Sequence, residues 1–289
     1  MNPTASEMPS RLSEPQRDAL ISLLADEDAE VFQTVRQKLM AYGHEAAEWL
    51  QPHTLSTDPL LRRRAKDIIH HFAGQDADNE FLSFCLRQGD ELDLEDGVWL
   101  LARTKHPEIN VEAYQAVLDG FANDLRERLR GAPDAPQLLA RINQYLFQEQ
   151  KFHGNEHSYY EDDNSYLNRV LDRRTGIPIS LSTVYLLVAR RLRLPVAGIG
   201  LPGHFICRYQ STTEEIFIDP FNQGRMMSKA DCIKYLQTNN HGLHEEFLVP
   251  ASPRRILMRM CSNLHQIYQQ AAHQEDTMRL QRYLVALAR

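Results

Sequence analysis

No apolar run in the sequence approaches the roughly 18–20 residues needed to cross a bilayer, so a membrane-spanning helix is excluded. The opening residues, MNPTASEMPSRLSEPQ, lack the apolar core of a signal peptide and read as a polar leader, which makes a cytoplasmic location the expectation. Cysteine is scarce and scattered. Cys85, Cys207, Cys232 and Cys261 form no CxxC pair, so neither a zinc site nor a disulfide framework is suggested and bland buried thiols are expected. No cofactor or metal site is expected. Positive charge is in deficit: 32 Lys and Arg stand against 39 Asp and Glu, for a net charge of -7. Such a chain has no general field to attract nucleic acid or anionic lipid, and neither is expected as a partner. What remains is ordinary for a globular protein, with 43% hydrophobic and 25% charged residues over 289 positions. That length suffices for one large domain or two modest ones with a real core.

The first third has helical periodicity throughout. Val31, Phe32, Val35, Leu39 and Met40 recur at helical spacing, Gly43 punctuates them, and Asp58-Pro59 opens another helix lined by Leu60, Leu61, Ala65, Ile68 and Ile69. LADEDAEVFQTVRQKLMAYG and LSTDPLLRRRAKDIIHHF are weakly alike, each an acidic turn before an amphipathic helix. They resemble HEAT-like helical pairs, and a plain helical bundle fits as well. The Arg62-Arg63-Arg64 run reads as a solvated helix face, with phosphate binding as the other reading. Helices continue through 74–130, Gly131-Ala132-Pro133 breaks them, and a further helix is expected over about 136–148.

From Phe152 the composition changes. FHGNEHSYYEDDNSYLNRVLDRRTGIPIS is dense in Asn, Asp, Gly and Tyr, which favours turns and ordered loop. Leu181, Val184, Tyr185, Val188 and Leu192 then mark a strongly helical stretch, with Pro178 suited to its start and Leu194-Pro195 to its end. Three strands are expected after it, over Val196–Leu201, His204–Tyr209 and Glu215–Phe221. The C-terminal part returns to helix. Ile256, Leu257, Met260, Leu264, Ile267 and Tyr268 form one amphipathic face, and a last helix follows over 277–287.

The order helix, strand with His, strand with Asp has chemical content. Cysteine hydrolases and acyltransferases of the papain type hold a thiol at a helix N-terminus, where the dipole and an imidazolium lower its pKa. The His comes from a neighbouring strand, and an Asp or Asn on the next one orients it. His204 and Asp219 stand at the second and third of these posts.

The run NSYLNRVLDRRTGIPISLSTVYLLVARRLRLPVAGIGLPGHFICRY, followed by IFIDPF and Gly224, resembles the SirB1 family of the transglutaminase-like superfamily. The likeness extends upstream through DLEDGVWLLARTKHPEINVEAY and RINQYLFQEQKFHGN and downstream through ASPRRILMRMCSNLHQIY, over roughly residues 90–270. It implies an α+β fold with a transglutaminase-like, papain-type core of a helix packed on an antiparallel sheet. The expected organisation is a helical, HEAT-like region over 1–74, the transglutaminase-like domain over 75–250 and a C-terminal helical hairpin over 251–289. That hairpin resembles a tetratricopeptide unit of the kind SirB1-type chains carry there. Active members of the superfamily usually open the helix with Gly-x-Cys. Here Gly176-Ile177-Pro178 falls in that place, so Pro178 occupies the post of the nucleophile.

Each candidate has a plainer reading beside the functional one. Ser180 is a substitute nucleophile or a helix-capping residue. His204 lines a cleft or is a satisfied structural histidine, and Asp219 orients it or caps the following turn. Asn155, Tyr159, Tyr160, Asn164, Ser165 and Tyr166 form a polar-aromatic loop that lines a cleft or merely satisfies backbone groups. Cys207 belongs to the core, and Arg173-Arg174 to the surface or to an anionic ligand. Two functions are consistent with this. One is a non-catalytic binding, scaffolding or regulatory protein with a vestigial cleft (Asn155, Tyr160, Asn164, Tyr166 and Pro178 as its binding residues) and a protein or peptide partner. The other is a hydrolase or acyltransferase acting on peptide or amide bonds through Ser180, His204 and Asp219.

Overall fold

Local capping chemistry sets the helix starts, and the computed structural model describes residues 12–87, 92–238 and 245–289. Residues 1–11 of the polar leader lie outside the described residues, and its last three, Glu14-Pro15-Gln16, open a helix rather than continue the leader. Contacts divide the chain into two units, 1–77 with 106–108, and 78–105 with 109–289. The C-terminal helical hairpin belongs to the second of them.

The first unit is helical. Helices α1 (Glu14–Ser22), α2 (Ala29–Tyr42), α3 (His44–Leu50) and the first part of α4 (Pro59–Cys85) enclose Leu24, Val35, Leu39, Leu50, Ile68 and Phe72. Asp28 caps α2 by accepting from the Glu30 and Val31 amides at 2.7 and 3.3 Å. The arginine run does not lie wholly on a solvated face. Arg64 is buried, donates to the Leu24 and Asp26 carbonyls at 2.8 and 2.6 Å, and lies over the Phe32 ring. Its planar fork satisfies orphan carbonyls at a turn while its stem packs in the core, which a run of three arginines does not reveal.

The second unit is α+β. Its helices are α5 (Leu94–Arg103), α6 (Val111–Leu129), α7 (Ala135–Asn143), α8 (Leu167–Arg173), α9 (Pro178–Arg191), α10 (Lys229–Thr238), α11 (Pro253–Gln270) and α12 (Gln274–Leu287), joined by the end of α4. Two residue pairs, β1 (His153–Gly154) and β2 (Thr175–Gly176), run parallel. A four-stranded antiparallel meander follows: β3 (Val196–Ile199), β4 (Ile206–Gln210), β5 (Glu215–Asp219) and β6 (Arg225–Met227). Its register pairs Gly198 with Cys207, Cys207 with Ile218 and Asp219 with Arg225.

Helix α9 is enclosed on every side: every residue from Pro178 to Ala189 is buried, Ser180, Ser182 and Thr183 among them. Such a helix needs partners all round, and it has them in α6, α8, α11 and the strands β3 and β4. The opposite face of the sheet packs on α10 through Ile199, Ile206, Phe217, Cys232 and Leu236. The Phe152–Ser180 stretch is not all loop: α8 forms inside it, with Leu167, Val170 and Leu171 buried. Hairpin α11–α12 is fastened by polar contacts within the same unit. Tyr268 Oη donates to Asp162 at 2.7 Å, Tyr283 Oη donates to Asp78, and Arg279 donates to the Thr104 carbonyl at 3.0 Å.

One tight turn places the end of β5. Gly224 has φ of +72°, and its amide donates to the Asp219 carbonyl at 2.8 Å. Its own carbonyl accepts from Asn143 Nδ2 at 2.6 Å. A Cβ there would stand 2.5 Å from Asn143 Cγ and 2.6 Å from the Phe147 ring. Gly224→Ala is therefore expected to destabilise the second unit by about 2–4 kcal/mol, from left-handed strain plus overpacking. Urea denaturation of the two proteins checks this, and an unchanged midpoint would refute it.

Candidate functional site

The site is assembled where β5, the turn before β4 and the N-terminus of α9 meet. His204 stands in that turn rather than on the strand itself, which begins at Ile206. The chain reverses at Pro202-Gly203, where Gly203 has φ of +71°, and the His204 amide donates to the Leu201 carbonyl at 3.1 Å. Tyr235 Oη donates to the Pro202 carbonyl at 3.2 Å, and Arg259 Nη2 to the His204 carbonyl at 2.8 Å. The histidine backbone is thus held from both α10 and α11.

Its ring meets Asp219, with Nε2 2.8 Å from Oδ2. Asp219 performs both tasks that the sequence leaves open. It orients His204, and its Oδ1 caps the next turn by accepting from the Phe221 and Asn222 amides, each at 3.2 Å. Asn222 Nδ2 adds a further bond to Oδ2 at 2.7 Å. Burial acts to raise the Asp219 carboxyl, but the His204 and Asn222 bonds and the imidazole charge outweigh it and hold it below its ordinary value. An ionised Asp219 keeps the hydrogen of the ring on Nε2, leaving Nδ1 as an acceptor in the neutral form.

The pair opens onto a cleft of ≈ 890 Å³. Tyr159, Tyr160, Phe221 and Tyr235 form its aromatic walls, and Pro178 lines it at the first residue of α9. Phe221 meets His204 and Tyr159 edge to face at 6.2 Å in each case. Arg225, Asp231 and Lys234 bring charge from β6 and α10.

The other candidates fall elsewhere. Ser180 is fully buried, and among the described residues its hydrogen bonds go to groups other than His204. Oγ donates to the Asn164 carbonyl at 2.6 Å and accepts from the Ile177 amide at 3.0 Å, which ties the start of α9 to the preceding loop. Ser182 is also buried, its Oγ 3.3 Å from the Phe205 carbonyl. Asn155 and Asn164 build the loop from inside: Asn155 Nδ2 donates to Asn164 Oδ1 at 3.1 Å, and Asn164 Nδ2 to the Ser158 and Tyr159 carbonyls at 2.7 and 3.2 Å. They position Tyr159 and Tyr160, and only the tyrosines reach the cleft. Tyr166 is buried against Tyr268, their hydroxyls 3.0 Å apart. Arg173 bonds Glu161, while Arg174 lies over the Phe121 and Phe152 rings, 4.8 Å from each.

All four cysteines are fully buried. Burial pushes the Cys85 and Cys232 thiols up to about 12 and raises those of Cys207 and Cys261 as well. Cys207 Sγ packs 3.6 Å from the Ser182 carbonyl, in the layer between β4 and α9. No thiolate is available at neutral pH in these surroundings.

Sequence reasoning missed Phe221, Asn222, Tyr235 and Arg259. Asn222 had a signal, since it lies two residues past Asp219-Pro220 where a turn needs closing. Tyr235 and Arg259 had none, because their place depends on how α10 and α11 fold back.

The family model for the transglutaminase-like superfamily matches residues 112–262, which contain the whole His204–Asp219 site. A UPF0162 protein of Xylella fastidiosa (strain 9a5c) is 35% identical over 175 residues, covering 58% of this chain and 62% of its own length. UPF0162 protein PA3419 of Pseudomonas aeruginosa is 29% identical over 193 residues, covering 65% of this chain and 68% of its own. F-box only protein 21 of Mus musculus is 38% identical over 136 residues, 44% of this chain and 21% of that protein. The chain thus spans under two thirds of the length of the Xylella relative it matches. No solved structure matches it.

Proposed function

The chain belongs to the transglutaminase-like superfamily, among its SirB1-type members, and from that premise we propose that it binds a protein or peptide segment in its cleft without covalent catalysis. One observation carries this reading: the helix end that faces His204 and Asp219 opens with Pro178, whose ring offers no nucleophile. The serine hydroxyls of the first turns of α9, on Ser180 and Ser182, are buried and bonded to the backbone. The aromatic walls, by contrast, suit binding, since tyrosine and phenylalanine offer large contact area at low entropic cost. In this reading the His204–Asp219 pair shapes the wall that a ligand meets. The helices of the first unit act as a HEAT-like surface and the α11–α12 hairpin as a TPR-like one, both suited to scaffolding. Among the described residues no helix is long and apolar enough to cross a membrane, and buried free thiols fit a reducing, cytoplasmic setting.

The test is a turnover screen of the purified chain on fluorogenic peptide, amide and ester substrates, run beside His204→Ala and Ser180→Ala. No turnover sensitive to either change is expected. Ser180→Ala should instead lower stability by about 1–3 kcal/mol, because the Ile177 amide loses its acceptor. Turnover in the wild type that disappears in both variants would restore the alternative, a Ser-based hydrolase or acyltransferase.

A further inference from the structure

We propose that the cleft is a docking groove for a proline-rich segment of a partner protein, held in the polyproline II conformation against an arc of aromatic rings. This rests on the reading of the cleft as a binding surface and adds the chemistry of what it binds.

The charges of the cleft answer one another. Its lining carries Asp219 and Asp231 against Arg225 and Lys234. Arg225 stands opposite Asp219 in the β5–β6 register. Asp231 is held below its ordinary value by the Ser228 hydroxyl and amide first, and by the Arg225 and Lys234 charges as well. A lining balanced in this way favours neither an anion nor a cation, so its ligand is recognised through apolar groups and neutral hydrogen bonds.

The rings supply the apolar part. Tyr160, Tyr159, Phe221, His204 and Tyr235 follow one another along the wall, with adjacent centroids 5.3, 6.2, 6.2 and 6.0 Å apart. Over the first three steps the planes meet at 73°, 70° and 85°, so the rings leave corners rather than one flat face. A corner between ring faces takes a compact, rigid apolar group, and the pyrrolidine ring of proline is one. Tyr160, at one end of the arc, is 61% exposed, a large ring left open to a partner. One turn of polyproline II has three residues and rises about 9 Å, so prolines a turn apart meet rings about two steps apart along the arc.

The phenols supply the hydrogen bonds. Among the described residues the Tyr159 and Tyr160 hydroxyls donate to no group of the protein. A proline carbonyl accepts, and its nitrogen carries no hydrogen, so a proline-rich backbone asks for donors and brings few of its own to be answered. Such a segment is extended before it binds, which keeps the entropy lost on docking small. Aromatic-lined grooves recognise proline-rich segments on these grounds in general.

The experiment starts from a display library of random peptides selected on the full chain. The tightest peptide is compared by fluorescence anisotropy with an analogue that has alanine in place of each proline. Selected sequences are expected to be enriched in proline at every third position, and the analogue to bind at least about tenfold more weakly. Tyr160→Ala, at a side chain exposed enough to leave the fold intact, should weaken the proline-rich peptide by at least about tenfold, and Tyr160→Phe by about threefold through the lost donor. Raising the salt from about 0.05 to about 0.5 M should leave the affinity within about twofold, because no ion pair is made. Sequences without proline whose binding is lost in Tyr160→Ala, or binding that falls steeply with salt, would overturn this inference and leave the binding function of the cleft standing. A library that yields no binder, or only binders indifferent to Tyr160→Ala, would overturn both.

Discussion

A thiol introduced by Pro178→Cys is expected to react with iodoacetamide at neutral pH about a hundredfold faster than any native cysteine of the folded chain. The four native thiols are fully buried, and burial raises each one's pKa. Position 178 is also buried, but it differs in where it stands. It is the first residue of α9, it lines the cleft, and it shares that cleft with the His204–Asp219 pair. The helix dipole stabilises a thiolate there, and an imidazolium nearby adds to it. Proline at the first helical position contributes no hydrogen bond that the substitution would remove. Adding His204→Ala should slow the new thiol by about tenfold, by removing the imidazolium. A reaction no faster than that of free cysteine would mean that this helix end is not aligned as a nucleophile post. The proposal that Pro178 closes off covalent chemistry would then fail.

Asp219→Ala is expected to cost about 3–5 kcal/mol of stability. Four donors converge on this buried carboxylate: the His204 ring, the Phe221 and Asn222 amides, and the Asn222 side chain. Alanine leaves all of them without their acceptor at the turn that also seats Gly224. The pH dependence has a definite sign. The folded Asp219 carboxyl is lowered, so its contribution is fully present above the unfolded value of about 3.9 and is lost as pH falls through the folded one. The gap between wild type and variant should therefore narrow as pH drops below about 4. Urea midpoints at pH 7 and in acid measure both effects. A gap that stays constant with pH would assign the loss to the turn alone, without the charge.

His204 and Asp219 were legible as a pair because they fall on successive expected strands after the central helix, although His204 itself stands in the turn before β4. Asn155 and Asn164 were legible as polar loop residues, but their direction was not. Amide side chains in an irregular segment bond inward or outward according to which carbonyls the fold leaves open, and here those of Ser158 and Tyr159 lie inside. Tyr166 was drawn into the core by Tyr268, more than a hundred positions away in the chain, and no local pattern carries that.

Local patterning in the chain was enough for the helix starts, the strongly helical stretch that forms α9, the strand order and the proline at the nucleophile's post. Each of these follows from local rules: capping, periodicity, alternation and the missing side-chain thiol. Only the tertiary structure decided that Ser180 bonds the loop behind the cleft, and that Tyr235 and Arg259 come to the His204 turn. Those placements arise from packing between elements distant in sequence, where the free energy of burying one face selects which polar groups are left to find one another.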